Sequence, residues 1–311
     1  MHRIVFFGVD GPFSQLPLDA LSRTDLKPSL VVHGLEKANR LRPLVEHYAA
    51  RPGLFSRLVP KELGGLSAEA HRLGIDVVRS DDANCAQVVS EIVKLEPTAF
   101  VVAGFPHLLS KALIGRFRAG GLNVHPGRLP EERGAAPLFW ALKAGRTTIG
   151  WTIHVIDEGE DTGDVVAKGE LSFDPGTDGQ QILKRCAEAA LPILIKSVRG
   201  LIDGDLIRIP QANERAARCP RPAFRDGKID PSLPAEAVFT FVGGCAASYS
   251  VFAECGGDRF FIKRPLSYDP DASLGFEYVL TGDRLILRCS PGVVELELKE
   301  EGAIFTATYS E

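Results

Sequence analysis

"RIVFFGVDGPFSQLPLDALSRTDLKPSLVVHG", residues 3–34, contains two short apolar runs with a helix-like segment between them. The runs RIVFFG (3–8) and LVVHG (30–34) are rich in β-branched or aromatic residues and end in glycine, which is typical of buried strands. A strand, a helix and a second strand in this order form the unit from which parallel sheets are built. The chain is therefore predicted to begin with a parallel sheet.

The same alternation continues through the first two thirds of the chain. Further strands are predicted at residues 76–80, 99–104, 122–125 and 150–156, and helix-like stretches lie around 15–22, 67–73, 84–94 and 136–144. A longer helix is predicted from Asp178 to Ile202, where apolar residues recur at three- and four-residue intervals. These patterns predict an α/β fold with a Rossmann-like parallel sheet covered by helices on both faces.

The last quarter of the sequence has a different pattern. From about Val238 the apolar runs are short and are separated by turns such as Gly256-Gly257 and Pro291-Gly292, which predicts a small β-rich domain, a barrel or a sandwich. The polar, proline-rich stretch before it is typical of a linker. We expect residues 1–205 to form the α/β domain, 206–234 the linker and 235–311 the β-rich domain.

The composition limits the class of protein. The 311 residues are 45% hydrophobic and carry a formal net charge of -4, which favours a soluble globular protein without DNA or an anionic membrane as a partner. The first apolar run is too short for a signal segment or a membrane span. Six cysteines without a CxxC pair, and without a histidine at metal-ligand spacing, predict reduced thiols, no metal site and a cytoplasmic location.

Two polar residues stand at the end of one predicted strand. Asn123 and His125 are two positions apart, so on an extended chain both side chains leave the same face, and Pro126-Gly127 then ends the strand. Ligands bind at this carboxyl edge in open parallel sheets. An Asn and a His at a strand end also commonly satisfy the backbone of a turn, so the pair alone leaves both interpretations open.

A second polar stretch, HVIDEGEDTGDVV (154–166), follows another predicted strand and contains the acids Asp157, Glu158, Glu160 and Asp161. Most acidic turns are solvated loops. A carboxylate near a histidine at the edge of the sheet would instead orient and charge the imidazole, while the asparagine amide would donate to a developing oxyanion. This combination suits attack on a carbonyl group.

The order and spacing of three motifs carry a family resemblance. N-V-H-P (123–126), L-P-E-E-R-G-A-A-P (129–137) and I-D-E-G-E-D-T-G-D (156–164) resemble the N10-formyltetrahydrofolate-dependent formyltransferases, and most closely the methionyl-tRNA formyltransferase-like branch. The resemblance spans nearly the whole chain and is weakest around residues 35–64. It implies a Rossmann-like catalytic domain followed by a small C-terminal OB-like barrel.

The resemblance also implies roles for individual residues. Asn123, His125 and Asp161 match the catalytic positions of the family. An acceptor amine would attack the formyl carbon of N10-formyltetrahydrofolate, Asn123 and a protonated His125 would stabilise the oxyanion, and Asp161 would hold His125 and assist proton movement. This agrees with the chemistry inferred from the residues, because the acceptor must lose a proton and the leaving nitrogen must regain one.

The two binding sites are expected in neighbouring segments. The residues predicted to bind the folate are Gly104, Phe105, His107, Leu108, Leu109, Asp157, Glu158 and Gly159. The residues predicted to bind the acceptor are Phe6, Gly8, Gly11, Pro12, Phe13, Arg133 and Gly134. His107 and His154 are more simply explained as ordinary loop and strand histidines than as ligands.

The sequence departs from the family pattern in the N-x-H-P motif and in its charge distribution. Gly127 stands where the family commonly has serine, and residues 34–64 have six Lys or Arg against three acids but no compact lysine cluster. From Arg221 to Glu311 there are nine Lys or Arg against fourteen Asp or Glu. An acidic second domain is a poor partner for the phosphates of RNA.

Three functions therefore remain open. A formyltransferase for a small amine, such as an amino sugar, an amino acid or a biosynthetic intermediate, is favoured by the charges. A methionyl-tRNA formyltransferase is favoured by the Arg133-Gly134-Ala135-Ala136-Pro137 motif and the length. A folate-binding protein without transferase activity is suggested only by Gly127.

Overall fold

The computed structural model describes residues 2–36, 43–50 and 61–300. The chain divides into two compact units whose segments alternate along the sequence. The first unit contains Met1–Arg133, Gly150–Gly169 and Leu183–Ala217, and the second contains Gly134–Ile149, Glu170–Ile182 and Arg218–Glu311. The domain boundaries expected at residues 205 and 234 stay a prediction.

Seven α-helices and thirteen strands are found in the described residues. In chain order they are β1 (Ile4–Gly8), α1 (Pro12–Ser22), β2 (Leu30–Gly34), β3 (Val45–Tyr48), α2 (Gly65–Arg72), β4 (Asp76–Ser80), α3 (Ala86–Lys94), β5 (Ala99–Ala103), α4 (Lys111–Ile114), β6 (Gly121–His125), α5 (Pro137–Lys143), β7 (Thr148–Val155), β8 (Val165–Ser172), α6 (Gly179–Asp203), α7 (Ala235–Cys245), β9 (Phe252–Cys255), β10 (Asp258–Asp269), β11 (Tyr278–Thr281), β12 (Arg284–Arg288) and β13 (Val293–Leu298).

An eight-stranded sheet in the order β3-β4-β2-β1-β5-β6-β7-β8 confirms the predicted α/β fold. Strands β4, β2, β1, β5 and β6 pair in parallel. The sheet is mixed rather than wholly parallel, because β3 pairs antiparallel with β4 and β7 pairs antiparallel with β6. The antiparallel pairing of β6 and β7 brings residues from both strands to the site described below.

The core of the first unit forms around the central strands. Strands β1, β2 and β5 are buried along their whole length, which explains why their sequences are almost continuously apolar. Phe7 and Phe100 meet edge to face with ring centroids 5.8 Å apart, and Phe100 contacts Phe117 at 4.5 Å. These rings belong to one buried core cluster of the first unit.

Two strands of the sheet were not predicted. The strand β3 (VEHY) has only four residues and none of them is fully buried, so it has no apolar run. The strand β8 (VVAKGELS) has Lys168, Gly169 and Glu170 in its middle and is mostly exposed or half-buried. Both strands lie at the ends of the strand order that the described residues form, and outermost strands tolerate polar residues.

The second unit contains an antiparallel five-stranded sheet in the order β11-β12-β13-β10-β9. The buried side chains of Ile262, Leu285, Leu287, Val294 and Leu296 line one face of it. The β-rich prediction from Val238 onwards is wrong for residues 238–245, which belong to the helix α7. Its run AEAVFTFVGGC is short and apolar, and such runs fit a buried helix as well as a strand.

Candidate active site

Asn123 and His125 lie at the carboxyl end of the strand β6, as the sequence predicted. Its neighbours are β5, which is parallel, and β7, which is antiparallel. The two side chains leave the same face of the strand because they are two positions apart. Asn123 is half-buried, whereas His125 has only 3% of its surface exposed.

Asp161 reaches this pair from the loop between β7 and β8. Its Oδ2 lies 3.5 Å from Nδ1 of His125, and its Oδ1 accepts a hydrogen bond from Nδ2 of Asn123 at 3.2 Å. The side chain of Asp161 is 14% exposed, so the carboxylate is largely sheltered from water. The structure therefore brings together the three residues that the sequence predicted to be catalytic.

His154 is a fourth member of the cluster that the sequence interpretation missed. It is the partner of Asn123 in the β6–β7 ladder, and its Nε2 lies 3.0 Å from Nδ2 of Asn123 and 3.3 Å from Oδ1 of Asp161. Its Nδ1 donates to the carbonyl oxygen of Val155 at 2.9 Å. Knowledge of the antiparallel register between β6 and β7 would have identified His154, since in this register it faces Asn123.

The imidazole of His125 has a defined tautomer. Its Nε2 lies 2.6 Å from the carbonyl oxygen of Glu132, which only accepts, so Nε2 carries a proton and Nδ1 faces Asp161. Burial lowers the pKa of His125, and the negative charge of Asp161 offsets this only in part. The lowered pKa favours the neutral imidazole in the free protein, whereas the resemblance implied a protonated His125 during the reaction.

A buried carboxylate fixes the loop that follows His125. Glu132 is 4% exposed; its Oε2 accepts from the backbone N–H of Arg128 at 2.7 Å, and its own N–H donates to the carbonyl oxygen of Arg128 at 2.8 Å. The hydroxyl of Thr152 donates to the carbonyl oxygen of Gly127 at 2.7 Å. These bonds hold the Glu132 carbonyl against His125, and a backbone contact fixes position 127, where the family commonly has a serine side chain.

The loop that carries Asp161 is tightly wound. Asp161 itself has φ of 55°, in the left-handed region that few residues other than glycine adopt. Asp157 organises the turn, since its Oδ1 accepts from the hydroxyl of Thr162 at 2.6 Å and from the N–H of Gly159 at 3.0 Å. A side chain at Gly163 would lie 1.9 Å from the carbonyl oxygen of Val155, so the chain passes too closely there for any other residue.

The residues predicted to bind the folate lie in two loops of the first unit. In the loop after β5, Gly104 and Leu108 are exposed, and Nε2 of His107 lies 2.8 Å from the carbonyl oxygen of Leu35. In the acidic turn, Glu158 forms an exposed ion pair with Lys111 at 2.6 Å. Phe105 is half-buried and meets Phe7 edge to face, whereas Leu109 is buried in the core, and Asp157 and Gly159 are exposed.

The residues predicted to bind the acceptor differ in how deeply they are buried. Gly11, with φ of 118°, and Pro12 are half-buried where the turn after β1 leads into α1. Phe6 has no exposed surface, Phe13 is 6% exposed, and a side chain at Gly8 would lie 2.8 Å from Phe6. Phe6, Gly8 and Phe13 are therefore part of the buried core in this structure.

Arg133 and Gly134 follow each other where the chain passes from the first unit to the second. The guanidinium of Arg133 donates to Oε1 of Gln211, from Nε at 3.0 Å and from Nη2 at 2.8 Å, and to Oδ1 of Asn213 at 2.8 Å. Within the second unit, a side chain at Gly134, whose φ is 109°, would lie 2.7 Å from the carbonyl oxygen of Cys219.

Across residues 2–36, 43–50 and 61–300, no group of three or more His, Cys, Asp or Glu side chains is arranged to hold a metal ion. Within the same ranges, no helix is both long enough and apolar enough to cross a membrane. Residues 37–42 and 51–60, which include Arg40, Arg42 and Arg51 of the weakly matching segment, lie outside the described residues.

The part of the chain that contains Asn123, His125 and Asp161 matches a known family. Residues 3–198 match the family model of the formyl transferases. The chain belongs to this family. It is a formyltransferase, and two solved proteins that share its fold were crystallised with folinic acid or with tetrahydrofolic acid.

Relatives of this formyltransferase differ in what they modify. A methionyl-tRNA formyltransferase of Acidobacterium capsulatum is 28% identical over 73% of this chain and 75% of its own length. An N-formyltransferase of Helicobacter canadensis, solved with folinic acid and dTDP-3-aminofucose, superposes with a TM-score of 0.65 at 15% identity, covering 96% of this chain and 100% of the other. The sugar 3N-formyl transferase WlaRD, solved with dTDP and 5-N-formyl-THF, gives a TM-score of 0.63 at 14% identity, covering 97% and 98% of the two chains.

Proposed function

We propose that this formyltransferase transfers the formyl group to a small-molecule amine, such as an amino sugar, an amino acid or a biosynthetic intermediate. The reaction itself is supported by one observation above all. Nδ1 of His125 faces the carboxylate of Asp161 across 3.5 Å, with the amide of Asn123 beside both of them. A base, an acid and a hydrogen-bond donor are thereby gathered at one edge of the sheet.

The chemistry follows from the protonation state of His125. A neutral imidazole whose Nε2 proton is held by the carbonyl of Glu132 takes up its next proton at Nδ1, beside Asp161. The pair can therefore accept the proton that the acceptor amine must lose and return it to the nitrogen that leaves. The imidazolium present between these steps would stabilise the oxyanion together with Asn123.

The two loops predicted to bind the folate suit a pterin. Gly104 in one loop, and Asp157, Glu158 and Gly159 in the other, are exposed. A pterin has an amide-like edge that backbone N–H and C=O groups can read without dedicated side chains. We propose that these loops bind the donor and hold its formyl group next to Asn123.

The charges of the second unit favour a small acceptor over RNA. Five of the nine Lys and Arg residues from Arg221 onwards lie in ion pairs with Glu254, Glu295 or Glu297. RNA binding requires basic groups that replace the counterions of the phosphates. Because acids outnumber bases by fourteen to nine in this part of the chain, it offers little attraction for tRNA. The two solved sugar-modifying neighbours support the same choice.

A methionyl-tRNA formyltransferase is the second candidate. It is supported by the Acidobacterium capsulatum relative, which matches most of the chain and carries that name. The two candidates share the donor and the catalytic groups and differ only in the acceptor.

The test is to incubate the purified protein with N10-formyltetrahydrofolate and one acceptor at a time. The acceptors are methionyl initiator tRNA, a nucleotide-linked amino sugar panel and an amino acid panel, and the products are identified by mass spectrometry. We expect a formylated small amine and no formyl-methionyl-tRNA. The Asp161→Asn variant is the matched control for product formed without catalysis.

Each result separates the candidates. Product with tRNA alone would reject the small acceptor and support the second candidate. Tight binding of the donor without transfer to any acceptor would instead favour a folate-binding protein.

A further inference from the structure

Gln211 lies beside the catalytic loop although it belongs to the stretch that the sequence predicted to be a linker. Its Nε2 donates to the carbonyl oxygens of Asp161 at 2.9 Å and Gly163 at 2.7 Å. Its Oε1 accepts from Nε and Nη2 of Arg133 at 3.0 and 2.8 Å. All three atoms of this amide–guanidinium contact, Nε and Nη2 of Arg133 and Oε1 of Gln211, belong to side chains of the first unit.

The orientation of the Gln211 amide is determined by its partners. A guanidinium only donates hydrogen bonds and a carbonyl oxygen only accepts them. If the amide were turned over, Nε2 would face the donors of Arg133 and Oε1 would face two carbonyl oxygens. Arg133 therefore keeps the amide N–H groups directed at the turn that contains Asp161.

The segment around Gln211 is itself anchored to the first unit. Ile209 and Val165 exchange backbone hydrogen bonds of 2.8 Å, and the N–H of Arg133 donates to the carbonyl oxygen of Ala217 at 3.1 Å. Arg215 also forms an ion pair with Glu131. The amide of Gln211 is thus presented from a fixed piece of chain rather than from a free linker.

We propose that Gln211, oriented by Arg133, is a positioning residue for formyl transfer that holds the main chain of Asp161 so that its carboxylate stays beside His125. This inference rests on the proposed function, in which Asp161 and His125 move the proton. Asp161 needs such support because its left-handed backbone is costly for a residue with a side chain. The two bonds from Gln211 hold the backbone on both sides of Thr162.

The test compares Gln211→Met and Gln211→Glu with the unaltered protein. Methionine is of similar length but has no N–H, and glutamate still pairs with Arg133 but cannot donate to the two carbonyl oxygens. We expect both variants to lower kcat on the order of 100-fold, because small displacements of reacting groups have effects of this size. The KM for the donor is expected to stay within about threefold, since only the proton-transfer geometry changes.

The matched control is Asn213→Ala. It removes the other side-chain partner of Arg133 but leaves both contacts between Arg133 and Gln211, so we expect kcat within about twofold of the unaltered protein. A Gln211→Met variant that keeps its kcat would overturn the proposal. So would an Asn213→Ala variant as slow as Gln211→Met, because the effect would then be a general one of the segment.

A second measurement does not depend on an acceptor. In protein labelled with ¹⁵N-histidine, NMR follows the titration of His125, which is surrounded by Asp161, His154 and both the main-chain carbonyl and the carboxylate of Glu132. With Asp161 released, Gln211→Met should titrate at lower pH than the unaltered protein, because the negative charge that favours protonation of His125 is displaced. An unchanged titration would refute the role of Gln211 even if transfer is never detected, whereas a shifted titration in a protein without transfer would refute only the proposed function.

Discussion

His154 lies opposite Asn123 across the β6–β7 ladder, and the 3.0 Å contact between them determines how the asparagine amide is turned. Because Nδ1 of His154 donates to the carbonyl of Val155, Nε2 is left to accept from the amide nitrogen. The same nitrogen donates to Asp161, so both of its protons are engaged. To donate to an oxyanion, Asn123 must release one of these two partners.

The first prediction concerns this orientation. Replacing His154 by leucine frees the Asn123 amide to rotate, so we expect kcat to fall between about tenfold and 100-fold while donor binding changes little. Steady-state kinetics and binding of a non-reactive folate analogue measure the two effects. His47→Leu, at a position where the side chain is 44% exposed, is the control and should retain full activity. A normal kcat in His154→Leu would show that the amide is held by Asp161 alone.

The second prediction concerns Asp161 itself. Asparagine has the same shape as aspartate and also tolerates φ of 55°, so the change Asp161→Asn removes only the negative charge beside His125. We expect the single-turnover rate to fall by about 10²- to 10⁴-fold, the range for general acid–base catalysis, with an almost unchanged Kd for the donor. Equal loss of binding and turnover would mark Asp161 as a structural residue of the turn.

The third prediction concerns the buried carboxylate of Glu132. In Glu132→Ala the backbone N–H of Arg128 loses its acceptor, so we expect the free energy of unfolding to fall by about 1–3 kcal/mol. Urea denaturation at pH 7 measures it. The exposed ion pair between Glu96 and Arg3 supplies the control, since Glu96→Gln should change stability by less than about 1 kcal/mol. Similar effects for the two variants would argue against a special role for Glu132.

The fourth prediction concerns pH. Burial lowers the pKa of both His125 and His33 in the folded protein. Below about pH 6.5 these histidines take up protons in the unfolded chain while the folded chain resists, so stability falls as the pH drops from there to the folded pKa values. Carboxyl groups with a lowered pKa, such as Glu91, change the stability only near or below pH 4.5, the ordinary pKa of a glutamate.

Denaturation at pH 7.5 and pH 5.5 tests this window. The unaltered protein should lose stability at the lower pH, by at most about 1.4 kcal/mol per pH unit for each histidine. The variant His33→Asn should lose less between the same two pH values. An equal loss in both proteins would remove His33 from the explanation.

The fifth prediction concerns thiol reactivity. Burial raises the pKa of Cys186 to about 12 and that of Cys289 to about 11, and it raises the pKa of Cys245 still further. Since the thiolate is the reactive form, these residues should resist alkylation. In native protein treated with iodoacetamide at pH 8, we expect peptide mass spectrometry to find Cys85 modified first, because it is the one cysteine of the chain that is not buried. Early modification of Cys186 or Cys245 would contradict this burial.

Most strands of the α/β sheet could be predicted because buried strands require apolar side chains. Strands β2 and β4 were predicted with the bounds that the structure shows, because each contains two adjacent buried valines, a β-branched residue typical of strands. The strands β3 and β8 could not be found in this way, because they are the outermost strands of the sheet in the described residues and polar residues are tolerated in such strands. The helix α7 was missed because a short apolar run fits either type of element.

The site was predictable to the extent that its residues belong to local motifs. Asn123, His125 and Asp161 stand in short stretches with unusual polar content, and the structure brings them together. His154 required knowledge of an antiparallel register, and Gln211 contacts Asp161 from fifty residues away. Such long-range contacts leave no local pattern in the sequence.

The left-handed conformation at position 161 has a consequence for engineering. A search for heat-resistant variants would favour glycine there, because glycine relieves the strain of that conformation. The same change would remove the carboxylate that faces His125. At position 161 the residue that gives higher thermostability should therefore give lower turnover. Variant libraries selected for thermostability should contain a different residue there from libraries selected for activity.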